Sequence, residues 1–355
     1  MSYIGYILLA VLVLLLMITV HELGHFIAGK ILGFGIEEFS IGFGPKLFQK
    51  KKADGELFSV RLFPLGGYCA FLGEDKEDAS DRAFNNKPPW KRIIVLVSGV
   101  LMNYLTALIL IAIMFTAYGQ SALVTKSVKE NSAFCSGDIV LSAEGKNVYM
   151  STDLMTVLDG KREGDIIKCI VVRNGEKIEI SVPLLADANF KNVEDIRTLL
   201  DTLGLNYAED GNGEIIDSGL KTTNYRLSFF EIIGKTFEYS FKLASTIFVV
   251  VGQLFRGSLG LSSLGGTVTT VAVTAEVIRI GGLQYLLNIA ALIGVNLALF
   301  NILPIPALDG ARVVFTVIEW IRGKPVNRKA EGIIHTVGFV LILLFAVLID
   351  LQRCF

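Results

Sequence analysis

Charge is in short supply in this chain. Asp, Glu, Lys and Arg make up 19% of its 355 residues, against 52% hydrophobic residues, an apolar balance for a soluble enzyme. The apolar residues are clustered in long runs, and that clustering decides the class. The formal net charge is −1, so neither nucleic acid nor a strongly acidic partner is indicated. Cysteine is scarce too: Cys69, Cys135, Cys169 and Cys354 show no C-x-x-C spacing, which argues against a thiolate zinc site. Cys135 and Cys169 share one segment and could pair, although two separate thiols is the plainer reading. The first apolar run lacks the basic flank and the A-x-A site of a signal peptide. A charged motif continues straight out of it, so it reads as a retained span.

Four runs approach or exceed the about 20 residues that a bilayer span needs: 3–20, 93–118, 283–303 and 333–349. The last is short, but Leu351 beyond Asp350 can extend it. Lys87, Lys91 and Arg92 precede the second run, and Arg322, Lys324, Arg328 and Lys329 lie between the third and fourth. Positive charge next to spans marks the cytoplasmic side, so both loops are expected there. Four spans then place both termini, and residues 119–282, on the extracytoplasmic side. The expected fold is a polytopic α-helical membrane protein of about four transmembrane helices with an inserted extracytoplasmic β-rich domain.

The expected division is 1–118, 119–186, 187–282 and 283–355. Residues 166–173 and 177–182 are strand-like and are joined by Asn174-Gly175, a strong hairpin signal. A short helix is expected at 153–158. Residues 187–228 are polar and read as a linker with some helix around 193–203. In 229–256, Glu231, Lys235, Glu238 and Lys242 recur at helical spacing beside an apolar core too short to span. This segment is expected to be a helix on the outer membrane surface, with a fifth span as the alternative. Residues 257–282 hold six glycines and are expected to be irregular.

His21-Glu22-Leu23-Gly24-His25 is the strongest chemical signal. Histidines four apart on a helix project from one face and can share one metal ion, and zinc suits imidazole. Glu22 lies between them, where it can take a proton from a water at the metal. The chain has three histidines and spends two of them here. A catalytic zinc keeps three protein ligands, so a third must come from elsewhere. Asp309 is the best candidate. It follows the third span, after Pro304 and Pro306 interrupt a helix and free backbone carbonyls. Such backbone is tolerated at membrane depth only beside protein or a wet cavity, which hydrolysis also needs. His335 is expected to make a polar contact between helices rather than to bind metal. Residues 58–63 alternate and lead into 64–68, read as a hairpin-like turn whose edge strand could pair with an unwound substrate.

These motifs together resemble the site-2 proteases, and more closely the bacterial branch that regulates sigma-E-type stress responses. The matching pieces are H-E-L-G-H at 21–25, Gly42-Phe43-Gly44-Pro45, Pro64-Leu65-Gly66-Gly67-Tyr68, Gly99 with Asn103, and N-x-x-P-x-P-x-L-D-G at 301–310. They occur in family order and cover most of the chain. The resemblance implies that His21, His25 and Asp309 are zinc ligands and that Glu22 is the general base. It also implies that Asn301 positions substrate or transition state, and Gly66, Gly67 and Tyr68 are assigned to substrate binding. Residues 119–186 resemble a PDZ domain, with Ser136-Gly137-Asp138-Ile139-Val140 as its turn-into-strand signature. Gly99-Val100 and Gly266-Thr267 stand where many members have Gly-Pro.

The expected function is an intramembrane zinc metalloprotease of a bacterial inner membrane. It would cut single-span membrane proteins within the lipid bilayer, either in regulated intramembrane proteolysis or in clearing signal-peptide remnants. The rival reading is a non-proteolytic membrane scaffold that recruits partners through the PDZ-like domain. A zinc transporter would spread its ligands along a path through the membrane. Glu22 separates the first two, because a scaffold needs no base beside its histidines.

Overall fold

The computed structural model describes residues 2–74, 78–190, 195–256 and 265–352. In chain order the elements are α1 (Tyr3–Ile31), β1 (Ile36–Lys51), β2 (Leu57–Phe71), α2 (Pro89–Tyr118), β3 (Gln120–Thr125), β4 (Ile139–Ala143), β5 (Lys146–Asn147) and α3 (Ser151–Leu158). They continue with β6 (Ile166–Arg173), β7 (Glu176–Pro183), α4 (Ile196–Leu203), β8 (Tyr207–Glu209), β9 (Ile215–Ser218) and β10 (Leu220–Tyr225). The helices α5 (Phe229–Phe255), α6 (Thr267–Ile302), α7 (Asp309–Arg322) and α8 (Arg328–Gln352) complete the chain. Two compact units result: Met1–Met114 with Ile232–Phe355, and Phe115–Glu231.

Among the described residues, four helices are long and apolar enough to cross a membrane: Tyr3–Ile31, Pro89–Tyr118, Val268–Ile302 and Arg328–Leu351. α1 runs on past its apolar stretch because nothing in 21–31 interrupts it. It stops just before Gly33, whose φ of 76° suits the turn that follows. The metal motif therefore lies inside a helix. α6 differs from expectation, since helix begins at Thr267 and passes through a kink at Gly282 (φ 62°, ψ −145°). Only its second half coincides with the expected third span. The first half carries the Glu276–Arg279 ion pair one turn apart. Asp350, near the end of α8, accepts hydrogen bonds from the Val268 and Thr269 amides (3.1 and 3.3 Å) and from Thr269 Oγ1 (3.0 Å). It thereby caps the start of α6 from another helix. Residues 257–264, also expected to be irregular, lie outside the described residues.

α5 is one continuous helix and is not among the four spans. Its inward stripe is Thr236, Tyr239, Ser240 and Leu243, at helical spacing. Tyr104 of α2 bonds Ser240 Oγ at 2.9 Å, and Tyr239 donates to Asn288 of α6 at 2.9 Å. The expectation rested on the charged face, but hydroxyl and amide groups on another face tie the helix to its neighbours.

β1 and β2 form one long antiparallel hairpin, bent in both strands. The turn is at 52–56, where the Lys52 amide bonds the Glu56 carbonyl at 2.8 Å. Residues 64–68, expected as the turn, lie inside β2. Gly42, Gly44 and Gly66 have φ of 86°, 85° and 139°, so the chain bends sharply without ending the strand. The bend doubles the pairing. Phe39 faces Phe58 on one side and Cys69 on the other, and Ser40 likewise faces Ser59 and Tyr68. Gly67–Phe71 is consequently an outermost strand.

The second unit is an antiparallel sheet in the order β10-β3-β4-β6-β7, with β5 on β4. Asn174 and Gly175 both have positive φ (54° and 86°) and close the β6–β7 hairpin. Leu154 and Leu158 of α3 and Leu199, Leu200 and Leu203 of α4 fill one core with the sheet. The expected boundary at 186 is thus too early. Thr125 to Gln120 of β3 pair with Leu220 to Tyr225 of β10, and α4 is part of the core rather than linker. The polar run Thr222-Thr223-Asn224 carries little apolar signal, which hides a strand whose partner is far away in sequence. Cys135 and Cys169 are both free, one exposed and one buried.

Candidate metal centre

The register of α1 places His21 and His25 one above the other, with their rings edge to face at 4.7 Å and 87°. Both imidazoles are buried. Asp309 reaches them from the first turn of α7. The chain arrives there through Pro304 and Pro306, and Ala307 adopts a φ of 81°. The Ala307 amide donates to His335 Nδ1 at 3.0 Å, which holds this strained turn. A methyl group at Gly310 would lie 2.3 Å from the carbonyl oxygens of Ile302 and Leu303. Only glycine lets α7 start so close to the end of α6.

His21 Nε2 lies 2.9 Å from Asp309 Oδ2, His25 Nε2 lies 3.3 Å from it, and the two Nε2 atoms are 3.1 Å apart. Ligands about 2.0–2.1 Å from a tetrahedral zinc stand roughly 3.3 Å from each other, so the three donors already have the spacing of one face of that tetrahedron. Their chemistry agrees. His25 Nδ1 lies 2.8 Å from the Val95 carbonyl, which can only accept, so Nδ1 carries the proton and Nε2 presents a lone pair. A lone pair and a carboxylate 3.3 Å apart repel unless a proton or a metal ion lies between them. The residues present fit zinc.

Glu22 is half-buried beside this cluster, and the Cys69 backbone amide interacts with its carboxylate. A methyl group at Gly67 would come within 3.5 Å of Glu22 Cγ, so the outermost strand runs directly past the carboxylate. Glu22, His25, Asp309, Tyr68 and Cys69 line a cavity of about 580 Å³, whose other walls include Glu74, Arg92, Arg312 and His335. Tyr68 accepts a hydrogen bond from Arg61 at 2.6 Å and stacks on Phe43. Gly66 packs on Phe43, where any side chain would collide with the ring. Asn301 lies at the C-terminal end of α6, with no side-chain hydrogen bond to the cluster among the described residues.

One wall of the site escaped the residue-level reading. Val95, Gly99 and Asn103 recur every four residues on α2 and face the histidines. A methyl at Gly99 would lie 2.5 Å from His25 Nε2, and one at Gly24 would lie 2.4 Å from the Ser98 carbonyl oxygen. Two glycines thus let α1 and α2 touch at the metal site. Asn103 is fully buried beside His21. The available signal was a glycine and an asparagine four apart in an otherwise apolar span. Around the cavity, Glu74 pairs with Arg312, and Glu319 binds both Arg92 and Arg328. The His335 contact, expected between helices, is instead with the backbone of the turn before α7.

A multi-pass helical frame carrying two histidines, a carboxylate and a neighbouring glutamate defines a membrane metalloprotease. The chain belongs to Peptidase family M50, whose sequence profile matches residues 9–345. A protein of Clostridium perfringens named "putative zinc metalloprotease" is 31% identical over 355 residues, covering 98% of each chain. Proteins of the same designation are 29% identical in Agrobacterium fabrum, over 96% of this chain and 93% of that one, and 31% identical in Nostoc, over 95% and 92%. The PDZ domain of an SdrC-like protein from Listeria monocytogenes aligns with 28% of this chain and 85% of its own, at 16% identity and a TM-score of 0.18. The protein is a zinc metalloprotease of the site-2 protease type and a multi-pass membrane protein.

Proposed function

We propose that His21, His25 and Asp309 hold one zinc ion and that Glu22 is the general base of peptide-bond hydrolysis in membrane-protein substrates. The observation that carries this reading is the convergence of two imidazole Nε2 atoms and a carboxylate oxygen within 3.3 Å, beside a glutamate that opens onto the same cavity. Zinc bound there supplies Lewis acidity toward a water molecule and the scissile carbonyl. Glu22 takes the proton of the attacking water and returns it to the leaving amine. The Gly67–Phe71 strand, with its outer edge beside Glu22, offers backbone groups to an extended substrate segment. A helical substrate shields its peptide bonds in its own hydrogen bonds, so it must unwind to pair there. Gly66 keeps the bend that exposes this edge, Tyr68 forms part of the cavity wall, and Asn301 steadies substrate from the end of α6.

The favoured substrates are single-span proteins of a bacterial inner membrane, cut in regulated proteolysis or in clearing signal-peptide remnants. In this reading both termini and the β-rich unit are extracytoplasmic, as the basic loops at 87–92 and 322–329 imply. The rival scaffold role leaves Glu22 without a task. The test is Glu22→Gln in purified full-length protein, with zinc content and cleavage of a single-span protein measured on the same sample. The amide keeps the shape and removes the base, so cleavage should fall about 100- to 10,000-fold with zinc retained. Undiminished turnover would place the base elsewhere, and loss of zinc would make Glu22 a structural group.

A further inference from the structure

The two histidines are oriented by different kinds of partner. His25 Nδ1 meets the Val95 carbonyl, a fixed acceptor that permits one tautomer only. His21 Nδ1 instead meets the side chain of Asn103, fully buried on α2, with the amide nitrogen at 3.4 Å. With the amide nitrogen on Nδ1, Asn103 would donate, the His21 proton would sit on Nε2, and Nε2 would donate to Asp309 at 2.9 Å, leaving no lone pair for a metal ion. The Asn103 oxygen, meanwhile, is buried with no hydrogen-bond partner among the described residues. An orphaned buried acceptor is costly, and its presence beside a metal ligand calls for a cause.

We propose that Asn103 is a positioning residue that selects the metal-binding tautomer of His21 by a half-turn of its amide. The inference rests on the reading of His21 as a ligand. The two ends of an amide are nearly equal in size, so the turn exchanges oxygen and nitrogen within the same volume. The oxygen then accepts from His21 Nδ1–H, and Nε2 is left as a lone pair directed at the zinc position. The step is a change of tautomer, with the His21 ring proton placed on Nδ1 rather than Nε2. The orphaned acceptor gains a donor in the same step. Val95, Gly99 and Asn103 therefore form one continuous support for the ligand pair: a carbonyl for His25, a bare Cα that leaves room for both rings, and a rotatable amide for His21.

The experiment measures zinc affinity of the purified full-length protein by competition with a chromophoric chelator, with thermal unfolding of the chelator-treated form alongside. Asn103→Leu fills the space and removes the acceptor, and should weaken zinc binding about 10- to 100-fold, the usual cost of losing such a partner. Asn103→Asp keeps an acceptor facing His21 and should restore affinity to within a few-fold of wild type. Cobalt substitution adds a spectroscopic signature, with the visible bands shifted in Asn103→Leu and kept in Asn103→Asp. If Asn103→Leu does not fold, Asn103→Ala replaces it, since it introduces no steric conflict. Wild-type affinity without the acceptor overturns the proposal, as does equal weakening in Asn103→Leu and Asn103→Asp, which would mean packing alone. His21→Ala is the control: if it holds zinc as tightly as wild type, the ligand set is wrong and not only the role of Asn103.

Discussion

Asp138 and Asp309 both keep a carboxylate largely out of water, one in each unit of the chain, and their surroundings are opposite. Asp138 meets three donors: Arg173 Nε at 2.8 Å, Arg173 Nη2 at 2.7 Å and the Cys135 amide at 2.8 Å. Its charge is matched by a guanidinium that the protein supplies, in the bidentate geometry that suits a carboxylate. Asp309 meets two imidazole nitrogens and no arginine or lysine within ion-pair distance among the described residues. One carboxylate is part of the architecture and closes a turn of the β-rich unit. On the proposed assignment the other is left for a zinc ion from outside the chain. On the same assignment, whether the protein supplies the counter-charge separates the structural carboxylate from the functional one.

The largest expected effect breaks the metal side of that comparison. Asp309→Ala should weaken zinc binding by well over the roughly 100-fold that loss of an outer hydrogen bond costs, whereas His335→Ala should leave zinc content unchanged. Metal analysis after mild chelation decides this, and identical behaviour of the two variants would dismiss the ligand assignment. Next comes the structural carboxylate. Asp138→Ala removes the partner of the partly exposed Arg173 and an acceptor for the Cys135 amide, and should cost the second unit about 2–3 kcal/mol, with zinc content untouched. Hydrogen exchange along β4 and β6 reads this, and unaltered protection would mean that the pair contributes little. The smallest effect concerns a third carboxylate. Asp350→Ala removes the cap shared between α8 and α6 and should cost about 1 kcal/mol, seen as faster exchange at the Val268 and Thr269 amides. Exchange there no faster than in the unaltered protein would assign the helix start to other contacts.

Much of the frame was legible because it rests on residue type over long runs. Apolar stretches placed all four spans, and spacing alone put His21 and His25 on one face. Asp309 could be paired with them because two prolines and a carboxylate after a span are costly unless used. The hairpin was misread at 64–68, where Pro64 with two glycines looks like a turn. The structure uses Gly66 to bend a strand that continues, and only pairing on both sides of Ser40 reveals it. The β-rich unit was cut short for a related reason. β10 is polar, and its partner β3 is joined to it through the whole domain, so no local window contains the signal. α5 was judged by its charges, while its anchoring lies in Tyr239 and Ser240, whose hydroxyls say little until their partners are known. The α2 wall was half visible. Asn103 stood out in an apolar span, but its role needed the position of His21.

The two halves of the proposed ligand set are 288 positions apart in the chain. A ribosome adds about 5–20 residues per second, so roughly 15–60 s separate the making of His21 from that of Asp309. Throughout that interval a growing copy carries the glutamate and both imidazoles but lacks the third donor. It also lacks the end of α6 against which that donor is set. On the proposed assignment the protease is inert while it is being threaded into the bilayer. It becomes competent only once Asp309 has been made and set against the end of α6.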